Sequence, residues 1–184
     1  DVLAELDVAL AAVDDDLRNA DAGVLPPEGV RVALCGLPNA GKSSLFNALL
    51  GHDRAIVTHV AGTTRDAIAE PLELDGVRFR LYDTAGITHD LEPIDDEAVA
   101  RARGLIDGTH IAAVVVDGST PFAEAERELW HSVDAPQKIL VIAKSDLGDA
   151  VRDGEAAALA GGASNCRASA VQDGGTAELA RLLV

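Results

Sequence analysis

The eight residues from Gly36 to Ser43 carry the clearest chemistry in the sequence. They read Gly-Leu-Pro-Asn-Ala-Gly-Lys-Ser and match the phosphate-binding pattern G-x-x-x-x-G-K-[ST] at every position. In such a loop, successive backbone N–H groups curl into a helix N-terminus and bind phosphate oxygens, while the glycines permit a close approach. Lys42 would reach the β- and γ-phosphates, and the Ser43 hydroxyl would bind Mg²⁺. We therefore expect a nucleotide to bind at this P-loop.

The segments on either side of the P-loop supply the setting that the motif requires. Residues 30–35 form an apolar strand-like run, and residues 45–50 have a helical pattern, with Gly51 as the expected C-terminal cap. A glycine-containing loop that matched by chance would not need this order of strand, loop and helix. The flanking pattern thus favours a true P-loop.

A second group of residues could bind a metal ion and the γ-phosphate. The run D-T-A-G from Asp83 to Gly86 follows a predicted strand directly, and ligands gather at strand ends in open α/β sheets. Asp83 would hold Mg²⁺ through a water, and the Gly86 amide would meet the γ-phosphate. Thr64 lies in a long polar loop at residues 52–66, where it would complete the metal shell. This combination has the chemistry of a GTPase.

Two later motifs could read the base of a nucleotide. Residues 143–146, A-K-S-D, and residues 169–170, S-A, each follow a predicted strand and resemble the guanine-reading motifs N-K-x-D and S-A. Asp146 would accept hydrogen bonds from the guanine N1–H and exocyclic amine, a pattern that adenine cannot match. Each short motif alone is weak evidence, but four motifs in this order and spacing indicate a guanine-nucleotide site.

Strands and helices alternate between these motifs. The predicted strands lie at residues 30–35, 68–74, 77–82, 111–116, 139–143 and 165–168, and the predicted helices at 1–22, 45–50, 96–106, 123–132, 155–159 and from 176. Asp75-Gly76 predicts an antiparallel hairpin between the second and third strands. The order predicts an α/β fold of the P-loop NTPase class, a Ras-like G domain with a doubly wound, mostly parallel six-stranded sheet and one antiparallel hairpin.

The chain is long enough for one domain with an appendage. We expect residues 29–184 to form the nucleotide-binding domain and residues 1–28 to form a helix and linker. The narrow apolar stripe of that helix would pack against a neighbouring helical domain of a longer protein, or fold back on this domain. The sequence contains no methionine, even at position 1, which favours a fragment of a longer polypeptide.

The composition argues against several classes of function. The formal net charge is −16, from 31 acidic and 15 basic residues, which opposes direct binding of a nucleic-acid backbone by this segment. Cys35 and Cys166 lie in apolar strand-like runs, as expected for buried cysteines in a reducing compartment. No apolar stretch approaches a membrane span of about 20 residues, so we expect a cytoplasmic protein that does not bind a membrane.

Three stretches between Gly36 and Ile87 carry a resemblance to a known family. They read P-N-A-G-K-S-S-L-F-N-A-L-L-G, R-A-I-V-T-H-V-A-G-T-T-R-D and D-T-A-G-I. In them the chain is similar to the G domain of the MnmE (TrmE) family of tRNA modification GTPases, within the TrmE-Era-EngA-like group. The resemblance covers nearly the whole chain. It implies hydrolysis of GTP to GDP in support of wobble-uridine modification of tRNA, with MnmG and tRNA as partners of the full-length protein.

The resemblance also implies a mechanism that depends on K⁺. Ile87 stands where Ras-like proteins carry the glutamine that orients water, and a hydrophobic side chain cannot do this. In the family, G domains dimerise across their switch loops and K⁺ supplies positive charge. The implied K⁺ ligands are oxygens of Asn39, Thr58, Val60 and Thr63, and the implied Mg²⁺ ligands are Ser43 and Thr64. A turn residue without a metal role is the alternative for Asn39.

The resemblance assigns nucleotide binding to residues of the P-loop, both switch loops and the base-reading motifs. They are Asn39, Ala40, Gly41, Lys42, Ser43, Ser44, Thr58, His59, Val60, Ala61, Gly62, Thr63, Thr64, Asp83, Thr84, Ala85, Gly86, Lys144, Asp146, Ser169 and Ala170. During hydrolysis Gly86 and Thr64 would act at the γ-phosphate, and Asp95 would orient the attacking water.

Two positions depart from the family's pattern. Ala143 replaces the first residue of N-K-x-D, an Asn whose side chain ties the base-reading loop to its neighbours. Asp95 stands where ungapped counting places the family's water-orienting glutamate. Glu92 and Glu97 are alternatives for that role, and Asp95 could instead be a helix N-cap.

Two other functions stay open on the sequence. A ribosome-assembly GTPase of the Era or Der type shares the P-N-x-G-K-S/T opening, although A-G-T-T-R-D and the striped helix favour the MnmE family. A nucleotide-binding scaffold with little turnover would fit Ala143 and the altered carboxylate at Asp95.

Overall fold

A computed structural model describes Pro26 and residues 28–52, 69–83 and 108–184 of the protein. The predicted helices at residues 1–22 and 96–106, and nearly all of the polar loop at 52–66, lie outside these ranges. The other predicted strands and helices are all present, with ends that shift by a few residues.

Six strands form one sheet in the described ranges. They are β1 (Val30–Gly36), β2 (Ala69–Leu74), β3 (Val77–Asp83), β4 (Ile111–Asp117), β5 (Gln137–Ala143) and β6 (Ser164–Arg167). Their order in the sheet is β2-β3-β1-β4-β5-β6, and only β2 and β3 pair antiparallel. Asp75 and Gly76 join those two strands with φ angles of 49° and 80°, which is the two-residue turn that the sequence predicts. The predicted mixed α/β sheet is confirmed.

Four helices are described: α1 (Lys42–His52), α2 (Glu124–Ser132), α3 (Asp153–Ala160) and α4 (Ala177–Leu183). The prediction that Gly51 caps α1 is wrong, because the helix continues through His52. Nothing lies within 4 Å of a Cβ at Gly51, so no neighbour forces the chain out of the helix there. None of the described helices is long and apolar enough to cross a membrane.

Both faces of the sheet are covered. The residues of β4 alternate between two apolar clusters, with Ala113 and Val115 in one and Ala112, Val114 and Val116 in the other. The first cluster also contains side chains of α1 and α4, namely Leu45, Phe46, Leu49, Leu179 and Leu183, and the second contains Trp130 of α2 and Leu159 of α3. Burial on both faces explains why the central strands are continuous apolar runs in the sequence.

The register of the parallel strands brings their carboxyl ends to one edge of the sheet. Leu34 of β1 pairs with Asp83 of β3, and Asp117 at the end of β4 pairs with Ala143 at the end of β5. The loops that leave β1, β3, β4 and β5 therefore begin side by side. This edge is where an open α/β sheet binds its ligands.

Both cysteines are buried and carry free thiols, as the sequence predicts. Burial raises the pKa of Cys35 to about 12, although the positive charge of Lys42 partly opposes the shift. Burial likewise raises the pKa of Cys166 to about 12. Since a thiolate is the reactive form, both side chains act as small hydrophobes at neutral pH.

We predict that neither thiol of the native protein reacts quickly with Ellman's reagent at pH 8. Both are protonated and shielded, and the two thiols should react together only after denaturation. Absorbance of the released thiolate measures this, with a Cys166→Ala variant to assign the signal. A fast-reacting thiol in the native protein would contradict the described packing of β1 and β6.

Candidate functional site

The P-loop begins where β1 meets β4. Gly36 lies so close to β4 that a Cβ on it would sit 2.4 Å from the Val115 carbonyl oxygen, so no other residue fits there. Asn39 then adopts a left-handed backbone with a φ of 64°, and the Leu45 N–H donates to the Gly41 carbonyl 3.0 Å away as α1 starts. The loop thus turns sharply from strand into helix, which is the geometry that aims backbone N–H groups at phosphate.

Lys42 is held inside this loop. Its Nζ donates to the carbonyl oxygens of Gly36 at 2.9 Å and Leu37 at 2.8 Å, and the residue is only 6% exposed. Burial lowers the pKa of Lys42, while the negative charge of nearby Asp83 opposes that shift. The ammonium is therefore positioned at the loop before any phosphate arrives.

Two oxygen donors lie beside Lys42 and could bind a divalent cation. Ser43 follows it in the first turn of α1 with an exposed side chain, and Asp83 ends β3 with only 7% of its surface exposed. Hydroxyl and carboxylate oxygens are the ligands that Mg²⁺ prefers. The two residues fit the predicted Mg²⁺ site, whose third predicted member, Thr64, lies outside the described residues.

A cleft of about 280 Å³ opens between the P-loop and the loops that follow β5 and β6. It is lined by Gly41, Ser44, Leu45, Ala143, Lys144, Asp146, Leu147, Ala170 and Val171. Residues that the sequence assigns to phosphate binding and to base reading therefore share one cavity, although they lie far apart in the chain. The structure brings Gly41 and Ser44 together with Lys144, Asp146 and Ala170.

Ser169 fixes the carboxylate that faces this cleft. Its buried hydroxyl, in a residue only 1% exposed, donates to Asp146 Oδ1 at 2.6 Å. The same hydroxyl oxygen accepts hydrogen bonds from the N–H groups of Val171 at 3.3 Å and Gln172 at 3.2 Å. The S-A motif thus orients Asp146 and leaves its other oxygen for a ligand.

Ala143 is buried at the end of β5 and takes part through its backbone. Its carbonyl oxygen accepts the Gly118 N–H at 2.8 Å, and the Ser145 N–H reaches the Ala168 carbonyl at 3.2 Å. A Cβ built on Gly41 would lie 3.5 Å from the Ala143 Cβ, which is van der Waals contact. Main-chain hydrogen bonds therefore tie this loop to its neighbours where the sequence lacks the expected Asn side chain.

Sequence reasoning missed three contributors to the site. Leu147 and Val171 are exposed apolar residues at the cleft, and Asp117 accepts a hydrogen bond from Lys144 Nζ at 2.6 Å. Burial alone would raise the pKa of Asp117, but hydrogen bonds from Lys144 and Ser119 outweigh it and hold that pKa below its ordinary value. The available signal was the position of Asp117 at the end of a buried strand.

The remaining predicted site residues lie outside the described part of the chain. They are Thr58, His59, Val60, Ala61, Gly62, Thr63, Thr64, Thr84, Ala85, Gly86 and Asp95. Among the predicted K⁺ ligands only Asn39 is described, where its side chain is exposed on the loop. The γ-phosphate and K⁺ assignments therefore stay predictions.

The family model described as 50S ribosome-binding GTPase matches residues 31–144, which include the P-loop, Asp83 and Lys144. The chain belongs to this GTPase family. It is therefore a G domain. The predicted GTPase class is confirmed.

Several curated relatives of this G domain have the name tRNA modification GTPase MnmE. The protein from Roseiflexus sp. (strain RS-1) is 44% identical over 152 residues, which is 83% of this chain and 33% of that protein. The protein from Moorella thermoacetica is 39% identical over 184 residues, covering 97% of this chain and 39% of that protein. The resemblance to MnmE is confirmed, and the chain spans between 33% and 39% of the length of these two relatives.

Solved structures support the fold of the G domain. A variant of Aquifex aeolicus Era bound to GDP.AlF4- has a TM-score of 0.60 at 24% identity, over 84% of this chain and 56% of that chain. The G domain of T. maritima FeoB also has a TM-score of 0.60 at 24% identity, over 83% of this chain and 94% of that chain. Similarity at this level shows a shared fold, so the Era-type alternative matches only as a related GTPase.

We predict that Ser169→Ala weakens GDP binding roughly tenfold, because Asp146 loses the hydroxyl donor that orients it. Titration calorimetry measures the change. Ser132→Ala is the matched control, since that hydroxyl donates to the Leu129 carbonyl on the exposed face of α2. Equal GDP affinity of the Ser169→Ala variant and the unmodified chain would contradict the assigned role of Ser169.

Proposed function

We propose that this G domain serves a tRNA-modifying GTPase, in which it hydrolyses GTP to GDP and phosphate with Mg²⁺ and K⁺. The observation that carries the proposal is the cleft that joins Gly41 of the P-loop to Lys144, Asp146 and Ala170. The size of the cleft and the oriented carboxylate of Asp146 suit the base of a guanine nucleotide. The phosphates of that nucleotide would extend toward Lys42. The similarity to proteins named tRNA modification GTPase MnmE supports the biological role.

The described residues of the site are suited to binding the nucleotide and Mg²⁺ rather than to catalysing hydrolysis. Lys42 supplies charge for the phosphates, Asp146 supplies acceptors for the base, and Ser43 with Asp83 supplies oxygen ligands for Mg²⁺. When bound, Mg²⁺ would neutralise charge that develops on the phosphate oxygens. Thr64 and Gly86 would act at the γ-phosphate, and they belong to segments whose ordering would switch with the nucleotide.

Hydrolysis needs groups that these described residues do not supply. Ile87 cannot orient water, so we assign that task to Asp95, with Glu92 and Glu97 as the alternatives. K⁺ would supply positive charge beside Asn39, with oxygens of Thr58, Val60 and Thr63 completing its shell. The exposed Asn39 amide and the left-handed loop at that residue suit such a ligand. Two G domains would pair across these loops.

The full-length protein would supply the remaining parts of the activity. Residues 1–28 would link the G domain, residues 29–184, to a neighbouring helical domain. The net charge of −16 makes direct contact with tRNA by this segment unfavourable, so other domains would hold tRNA and MnmG. We place the protein in the cytoplasm, where its tRNA substrate is found.

We predict that GTP turnover is at least roughly tenfold faster in KCl than in NaCl of equal ionic strength, because K⁺ supplies transition-state charge. Asn39→Ala should remove most of this stimulation while keeping GDP binding. Asn47→Ala, an exposed residue of α1, is the control. Single-turnover phosphate release at high protein concentration is the measurement.

Equal rates in the two salts would contradict the role of K⁺. Tight GTP binding with no phosphate release in KCl would instead favour the scaffold hypothesis that Ala143 and Asp95 raise.

A further inference from the structure

An ion pair joins the ends of β4 and β5 beside the base cleft. Asp117 and Ala143 are register partners, so Lys144, one residue further along, begins its loop next to Asp117. Lys144 Nζ donates to Asp117 Oδ2 at 2.6 Å, with 30% and 21% of the two side chains exposed. A pair this short and this shielded holds its geometry better than one on the open surface.

The carboxylate of Asp117 is fixed on its other side as well. The backbone N–H of Ser119 donates to Asp117 Oδ1 at 2.9 Å, and the Ser119 hydroxyl donates to the same oxygen. The Asp117 N–H reaches Glu126 Oε1 at 3.3 Å, and Glu126 Oε2 accepts the Ala123 N–H at the start of α2. Asp117 is therefore a rigid acceptor whose position is set by β4 and α2.

Lys144 forms one wall of the cleft with the stem of its side chain. Its backbone is left-handed, with a φ of 57°, a conformation that residues other than glycine rarely adopt. The stem runs along the P-loop, since its Cγ and Cε lie 3.9 Å from a Cβ built on Gly41. A planar base entering between the P-loop and Asp146 would lie against these methylene groups.

We propose that Asp117 is a positioning residue for the nucleotide base, because its grip on the Lys144 ammonium keeps the Lys144 stem in place as a wall of the cleft. The inference deepens the proposed function and rests on guanine-nucleotide binding at this site. Asp117 itself does not touch the nucleotide; it acts through Lys144.

The physical reason is preorganisation. A lysine side chain has four rotatable bonds, and a free stem would have to be ordered each time that a base binds. Asp117 orders it in advance, so that less conformational entropy is lost on binding. The effect should appear in the affinity for a nucleoside phosphate and should vanish when Lys144 cannot form the pair.

A double-mutant cycle on the whole chain tests this. In Asp117→Asn the side chain has one acceptor oxygen and one NH₂ group. Since Lys144 and Ser119 both donate to Asp117, the NH₂ group must replace the acceptor for one of them. Lys144→Met keeps a stem but removes the ammonium. We expect each variant to bind GDP roughly tenfold more weakly, and the double variant to lose no more than about twofold beyond the weaker single variant.

Two further variants separate positioning from general stability. Asp149→Asn removes an exposed acidic group that pairs with Arg167 at 3.0 Å near the same loop, and its GDP affinity should match the unmodified chain. Asp117→Glu keeps the charge and should retain affinity within about threefold. If Asp117→Asn does not fold, Lys144→Met alone must still weaken GDP binding roughly tenfold, and normal GDP binding by Lys144→Met would overturn the inference.

The GDP affinities of these variants decide whether Asp117 positions Lys144. Additive losses in the cycle, an Asp117→Asn variant that binds GDP normally, or an Asp117→Glu variant as weak as Lys144→Met would each overturn the inference. Absence of GDP binding by the unmodified chain would instead contradict the proposed function itself. A non-additive cycle with a silent Asp149→Asn control supports Asp117 as a positioning residue.

Discussion

Parallel pairing of β1 with its two neighbours is the constraint on which the site depends. β1 lies between β3 and β4, and the pairing fixes Gly36 opposite Val115 and Leu34 opposite Asp83. The close approach of Gly36 to the Val115 carbonyl leaves no room for a side chain at the first position of the P-loop. The P-loop and the acidic residue at the end of β3 take their positions from this register, and the pairing of β4, β5 and β6 extends the same edge to the loops proposed to read the base.

Much of this arrangement could be predicted from the sequence, because each part has a local cause. Continuous apolar runs such as Ile111–Val116 indicate strands buried on both faces, and Asp75-Gly76 fixes a two-residue turn. The motif glycines and Lys42 have few other reasons to occur in that spacing. The helices and the order of the elements follow from the same local patterns.

Contacts between distant elements could not be predicted in the same way. The ion pair between Lys144 and Asp117 depends on the register between β4 and β5, and no local sequence pattern predicts that register. The Ser169 to Asp146 hydrogen bond and the apolar contribution of Leu147 and Val171 to the cleft are of the same kind. Gly51 shows the opposite case. A glycine at this position predicts the end of α1, but the space around Gly51 is free and the helix continues.

The distribution of charge explains how so acidic a domain can bind an anionic nucleotide. A chain with a formal net charge of −16 binds an anionic ligand only if nearby cations and backbone dipoles outweigh the general repulsion. Lys42, held by two carbonyl oxygens inside the P-loop, would provide such a cation for the phosphates under the proposed function. In the cleft the positive charge of Lys144 is paired with Asp117, so that under the proposed function recognition of the base would rely on shape and on the acceptors of Asp146. A comparison of GDP and ADP binding by titration calorimetry tests this account most directly. It predicts that GDP binds at least roughly a hundredfold more tightly, because adenine leaves the Asp146 carboxylate without its donors, and equal affinities for the two nucleotides would contradict it.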